Sequence, residues 1–283
     1  MQPKIGLLVD SASDIPAEIA ANTNVDIVPL IVTVNGEEYL DRETIDTNEV
    51  YRFMDKDVIP KTASPTIELV IKSIERLKSR GFTEIVAVTI SGGLSVTNQV
   101  FKQAAEQYSD LKISVIDTKN IGIGSGLIAT YAEDLILEGV GFEDIVKRVN
   151  HSVANSRVYF YVPTLKFLRL GGRIGRVAGL VGSALKIKPI ISCNEEGIYY
   201  PIAKARSESK AISKLMDLAV EHSKTAAHAR VAVVQGNDDA LMKKVTAMMQ
   251  EKLPKQNIYN GDVSPALGVH TGSGLIGIAV QID

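Results

Sequence analysis

Residues 84–117 read EIVAVTISGGLSVTNQVFKQAAEQYSDLKISVID, and this stretch decides the fold. Glu84 to Ile90 is strand-like, Ser91 to Ser95 is a glycine and hydroxyl loop, Ser95 to Tyr108 reads as a helix, and Ile113 to Asp117 is again strand-like. A strand, a helix and a second strand in that order make a parallel pair with a crossover. The same alternation continues outward. Upstream lie a strand at Ile5 to Asp10, a helix after Pro16, a strand from Val25 to Val34, a helix around Asn48 to Asp57, and a longer helix from Pro65 to Arg80 that Gly81 ends. Asn35-Gly36 reads as a tight turn and adds a local hairpin. Downstream follow helices at Ile123 to Leu137 and Phe142 to Asn155. This is the pattern of an α/β fold with a mainly parallel sheet flanked by helices.

Past residue 155 the style changes. Arg157 to Val162 is a strand, Leu165 to Leu170 a short apolar helix, and Val177 to Leu185 another. Ile187 to Ser192 and Ile198 to Ala205 flank a turn at Asn194 to Gly197, the spacing of a hairpin. Helix (Glu208 to Ser223), strand (Val231 to Gln235), helix (Asp238 to Leu253) and strand (Leu275 to Ile282) complete the chain. Two α/β domains are therefore expected, 1–155 and 156–283, with the ligand site in the cleft between them. A chain of 283 residues at about 150 per domain agrees.

Composition narrows the function classes. The chain is 45% hydrophobic and 23% charged, enough for a real core, so disorder is not expected. Lys plus Arg is 31 against 33 for Asp plus Glu, a net charge of −2, without the basic surplus of a nucleic-acid binder. Cys193 is the single cysteine and has no internal disulfide partner. No basic start leads into an apolar stretch with a small-residue cleavage site, and no apolar run approaches the ~20 residues that span a bilayer. The expected location is the cytoplasm, with no transmembrane segment.

Where a parallel strand passes into a helix, free N–H groups and the positive helix end face the same space. Three such junctions carry hydroxyls: Asp10-Ser11-Ala12-Ser13-Asp14; Ser91 to Ser95 with Thr97; and Asp117-Thr118 followed by Gly122, Gly124, Ser125 and Gly126. Each is also an ordinary set of caps and turn formers. Together they point to the carboxyl edge of the sheet. Ser64 and Pro65 suit the N-cap and first position of the helix that follows, which leaves Thr62 free to face a ligand. His270 lies in a glycine-rich stretch, Gly268 to Gly277, read here as a loop that another backbone or a ligand can approach.

Sharper motifs fail on context. Gly272-Ser273-Gly274-Leu275-Ile276-Gly277 has the G-x-G-x-x-G spacing but leads into a strand, so it is no dinucleotide site. Gly93-Leu94-Ser95 starts a nucleophile elbow, yet Thr97 stands where the second glycine belongs. No P-loop occurs, and His151, His222, His228 and His270 show no metal-ligand spacing. No cofactor and no metal are expected.

Taken together, the loops resemble the DegV family of bacterial fatty-acid-binding proteins, nearly end to end. LLVDSASDIP at 7–16 is similar to the family's start. Thr62-Ala63-Ser64-Pro65-Thr66 is similar to its T-S-x-P-S signature, and Ser91 to Thr97 to its S-x-x-L-S-G-T loop. Leu165 to Ile174 resembles L-x-x-L-x-x-G-G-R-I; Lys188-Pro189-Ile190 and Gly268-Val269-His270-Thr271-Gly272 complete the set. Two positions depart from the pattern: Ala63 where serine is common, and Val96 where glycine is common.

The resemblance implies a carrier of a long-chain fatty acid such as palmitate, with a role in lipid transport or fatty acid metabolism. Burying a methylene contributes ~0.8 kcal/mol, so about fourteen of them gain ~11 kcal/mol before ordering costs. The carboxylate then needs donors. Thr62, Ser95 and His270 are the candidates, with the amides of the Ser91 to Ser95 loop and the dipole of the helix beginning there. Candidates for the tail wall are Phe160, Leu165, Phe167, Leu168, Leu180, Leu185, Ile187 and Ile190, all equally readable as core. The resemblance further implies that the loaded protein presents the acyl group to a separate fatty acid kinase. Arg173 and Arg206 would then serve the partner or the developing phosphate charge. Two readings of the same residues stay open at this point: an acyl hydrolase using Ser95 and His270, and a phosphate or sugar-phosphate binder at the helix termini.

Overall fold

The computed structural model describes residues 4–180 and 187–283. Four parallel strands stand in the order Val25–Val28, Ile5–Asp10, Glu84–Thr89, Lys112–Asp117. Because side chains alternate across a strand, Leu8, Ile85 and Ala87 face one side and pack on the helices Ile67–Ser79 and Thr97–Ala105. Leu7, Val9, Val86 and Val88 face the other and pack on Ile123–Leu137 and Phe142–Asn155.

A second sheet of six strands has the order Tyr199–Ala205, Lys188–Cys193, Arg157–Tyr161, Ile276–Ile282, Ala229–Gln235, Ile258–Asp262. Its pairs are antiparallel except the last, which is parallel. Tyr159 and Tyr161 point to the helix Glu208–Ser223, while Val158, Phe160 and Val162 point inward. The helix Ile123–Leu137 lies between the two sheets and touches strands of both. Its residues from Ile123 to Glu133 are all buried, and their mostly apolar sequence shows no solvent face. Gly126 permits the approach: a Cβ there would stand 2.5 Å from the carbonyl oxygen of Ser13. A three-stranded sheet, Glu37–Leu40, Ile31–Val34 and Lys61–Ala63, closes one side of the interior.

Several expectations are corrected. Val25 to Val34 is two strands in two sheets, parted at Pro29, which has no N–H for a ladder. The helix after Pro65 begins later than expected: Thr66 caps it, its hydroxyl accepting from Leu69 N at 3.3 Å, and Ser64 has no capping role. His270 is not in a loop. Ser264 caps a seven-residue helix, Pro265–Thr271, that carries it. The strand Ile258–Asp262 was not anticipated. Of the helix expected over Val177 to Leu185, a 3-10 turn covers Gly175–Leu180, and the rest, with Leu185, lies outside the described residues.

Candidate functional site

The strand Lys61–Ala63, the loop after Glu84–Thr89 and the helix Pro265–Thr271 converge on one narrow cavity of about 40 Å³, partly open to solvent. Thr62, Ser64, Ser95, Arg173 and His270 stand in its wall. Thr62 Oγ1 and His270 Nε2 are 2.7 Å apart. Ser95 Oγ meets Ser64 Oγ at 2.9 Å and Thr97 Oγ1 at 2.8 Å. Sequence reasoning missed Ser64 by assigning its hydroxyl to a cap. The alternation of Thr62 and Ser64 along an extended segment was the available signal.

His270 is held neutral. Burial, with Arg173 nearby, pushes its pKa down to about 4. The ring lies against Gly171, where a Cβ would overlap it, and its Nδ1 is buried without a partner among the described residues. With the proton on Nε2, the ring donates to Thr62, whose own O–H then turns toward the cavity. Arg173 Nη1 donates to Gly171 O at 2.7 Å, which ties the guanidinium to the wall. Arg206 is exposed at the end of the strand Tyr199–Ala205 and takes no part in this cavity.

The loop amides expected as donors are already in use. Gly92 N donates to Asp117 Oδ1 at 3.1 Å, Gly93 N to Ser91 Oγ at 3.0 Å, and Leu94 N and Ser95 N to Ser91 O. Ser91 Oγ in turn donates to Gly197 O at 2.9 Å, so the loop is bound to the hairpin of the large sheet. Side-chain hydroxyls remain as the donors. Val96 sits at φ −78° and is 64% exposed, so its β-branch brings no backbone strain.

A second, narrow apolar cavity of about 30 Å³ shares Ile121, Tyr199, Leu267 and Thr271 with the first. Among the described residues Phe160 is the one expected tail residue in its wall; Val158, Val234, Val263 and Leu275 supply most of the rest. Ile190 instead faces the helix side of the large sheet. Leu165, Phe167, Leu168 and Leu180 belong to the interior core beside the cavities. A larger open cleft lined by Arg42, Asp46, Asp239 and Asp262 opposes three carboxylates to one cation, which does not suit an anionic head. Among the described residues no group of three His, Cys, Asp or Glu is placed to hold a metal, and no helix is long and apolar enough to cross a membrane.

Comparison with known proteins places this architecture. Residues 4–283 match the profile of the DegV family, described as uncharacterised proteins. The chain belongs to the DegV family. A DegV domain-containing protein of Clostridium acetobutylicum is 36% identical over 277 residues, covering 98% of each chain. Among solved structures, DegV of Bacillus subtilis, a fatty acid binding protein, superposes with a TM-score of 0.90 at 26% identity over the whole of both chains. A stearic acid-binding protein of Eubacterium ventriosum gives 0.89 at 27% identity, covering 98% of each. In this DegV chain the motifs at 62–66, 91–97, 171–173 and 268–272 all border the hydroxyl cavity through Thr62, Ser95, Arg173 and His270.

Proposed function

We propose that this chain is a carrier that binds one long-chain fatty acid, its carboxylate at Thr62, Ser95 and His270 and its tail in the apolar cavity. The observation that carries this reading is the adjoining pair of cavities, one ringed by Thr62, Ser64, Ser95 and His270, the other nearly all hydrocarbon. A carboxylate accepts several hydrogen bonds, and the neutral hydroxyls supply them, that of Thr62 being turned toward the cavity by the His270 ring N–H. Arg173 stands by as the cation at the same mouth. Palmitate is one such ligand, with the 1–155 and 156–283 domains forming the two walls.

Among its relatives, proteins of Bacillus subtilis and Eubacterium ventriosum are described as fatty-acid-binding and stearic acid-binding, which supports the ligand class. The carrier reading extends to a cytoplasmic role: presenting the acyl carboxylate to a separate fatty acid kinase, whose phosphoryl transfer Arg173, and Arg206 at the surface, would serve. The hydrolase reading is disfavoured by geometry. His270 Nε2 is engaged with Thr62 rather than Ser95, and no carboxylate of the described residues orients its Nδ1.

Native mass spectrometry of the purified, undelipidated chain, followed by extraction of what is bound, tests this. One long-chain fatty acid at near-equimolar occupancy is expected. An empty protein that also takes up no added palmitate overturns the carrier.

A further inference from the structure

The tail cavity is not wholly apolar: Tyr199 and Thr271 bring hydroxyls to its wall, and one carboxylate stands there too. Asp14 stands in its wall with a side chain 2% exposed. Its Oδ1 accepts from Arg42 Nη2 at 2.8 Å and from Ser264 N at 3.0 Å. Its Oδ2 is buried and has no partner among the described residues. That oxygen faces the gap left by Gly122: a Cβ there would stand 3.2 Å from Oδ2 and 3.1 Å from Leu267 Cδ1, all three residues bordering the same cavity. Thr271, in the same wall, already donates to Leu267 O at 3.0 Å, and the Tyr199 hydroxyl is not hydrogen-bonded to Oδ2. The link that Asp14 makes between Arg42 and Ser264 uses Oδ1 alone and does not account for Oδ2.

A buried acceptor without a donor is costly, and an all-alkyl tail laid across Oδ2 leaves it so. A hydroxyl on the tail satisfies it. We propose that the cavity recognises a long-chain fatty acid bearing a hydroxyl near mid-chain, donated to Asp14 Oδ2. This rests on the fatty-acid reading above. The position follows from the helix Pro265–Thr271, whose N-terminal end meets Asp14 and whose C-terminal end carries His270. Six residues from Ser264 to His270 at about 1.5 Å each separate the two by about 9 Å. A C–C bond of about 1.5 Å advances an extended chain by roughly 1.3 Å, so that distance is about seven carbons from the head.

The test uses the delipidated full chain carrying a fluorescent long-chain fatty acid. Displacement is measured with stearic acid and with three stearic acids bearing one hydroxyl: beside the carboxyl, at mid-chain, and at the terminal carbon. The mid-chain isomer is expected to displace the probe at about tenfold lower concentration than stearic acid, the size of one hydrogen bond to a charged acceptor. The other two isomers gain nothing. Asp14→Asn keeps an oxygen for Arg42 and Ser264 while replacing the charged acceptor, and reduces the preference to about threefold or less. Equal displacement by all four acids, or best displacement by either end isomer, overturns the inference and leaves the carrier standing. An undiminished mid-chain preference in a folded Asp14→Asn protein also overturns it. Failure of all four acids and of the probe to bind overturns the carrier itself. The positional series in the unaltered chain decides the question even where Asp14→Asn does not fold.

Discussion

Three hydroxyl-rich loops leave the same edge of the parallel sheet, and their polar groups meet different fates. In the first, Ser11 Oγ donates to Asp41 Oδ2 and accepts from Leu30 N at 2.9 Å, while Asp10 Oδ2 accepts from Ile90 N at 2.8 Å. In the third, Thr118 Oγ1 meets Ser125 Oγ and the carbonyl of Thr89, both at 2.8 Å. These groups are buried and mostly committed to the fold. In the second loop Ser95 stays half-buried beside Ser64 and the cavity. Similar composition thus yields scaffold in two places and a candidate binding surface in one. The scaffold also serves the site, since Asp14 accepts from Ser264 N and Asp41 from Ala266 N at 2.9 Å, which fixes the start of the helix that carries His270.

The largest effect should come from breaking the committed side. Asp41→Ala strips the partner from Ser11 Oγ and from Ala266 N, both buried. A loss of about 3 kcal/mol in urea unfolding is expected, with fatty-acid affinity falling alongside. A loss below about 1 kcal/mol would mean that these bonds are not what holds the helix.

Next comes pH. Burial raises the Asp10 carboxyl from 3.8 to about 7. The native state therefore holds a proton that the unfolded chain has released, so the contribution is full below 3.8 and is lost as pH rises through about 7. His270, lowered to about 4, acts oppositely on the acid side, but it is present in both wild type and Asp10→Asn. The stability of wild type relative to Asp10→Asn should thus fall by about 2 kcal/mol between about pH 5 and about pH 8. A constant difference across that range would place Asp10 in an ordinary ionised state.

On the other side of the comparison, Ser95→Ala should leave unfolding within about 1 kcal/mol of wild type, since it loses only the weak 3.3 Å bond from Thr97 N and two hydroxyl contacts. Its affinity for a fluorescent fatty acid should drop about tenfold or more, one hydrogen bond to a carboxylate. Unchanged affinity would move Ser95 into the same class as Ser11 and Thr118.

Which loop does which was only partly readable beforehand. Helices such as Ile123–Leu137, Phe142–Asn155 and Glu208–Ser223 follow local pattern, and their ends fell where the pattern ended. Thr62 is identifiable as a hydroxyl without a necessary local task, whereas Ser95 reads equally as a cap or turn former and stands out only with the Ser91 to Thr97 motif. The use of the 91–95 amides is not identifiable, because their acceptors include Asp117 and a loop tied to Gly197, far along the chain. The bond from Ser264 N to Asp14 spans 250 residues, beyond any local signal. His270 differs for another reason: Gly268 and Gly272 suggest a loop, while Ser264 as cap and Pro265 at the first position start a helix that runs through Gly268 to Thr271.

The smallest expected effect separates composition from placement. Ala63 stands where the resemblance calls for serine, between Thr62 and Ser64, and it borders the same cavity. Thr62 reaches His270 and Ser64 reaches Ser95, so on extended backbone these two share a face and residue 63 points to the other. A hydroxyl added by Ala63→Ser therefore joins neither pair. It should change fatty-acid affinity by less than about twofold, under about 0.5 kcal/mol, and leave unfolding unaltered. A gain near tenfold would show that the cavity counts hydroxyls regardless of the strand's alternation, and the division between committed and available groups would then rest on reach rather than on facing.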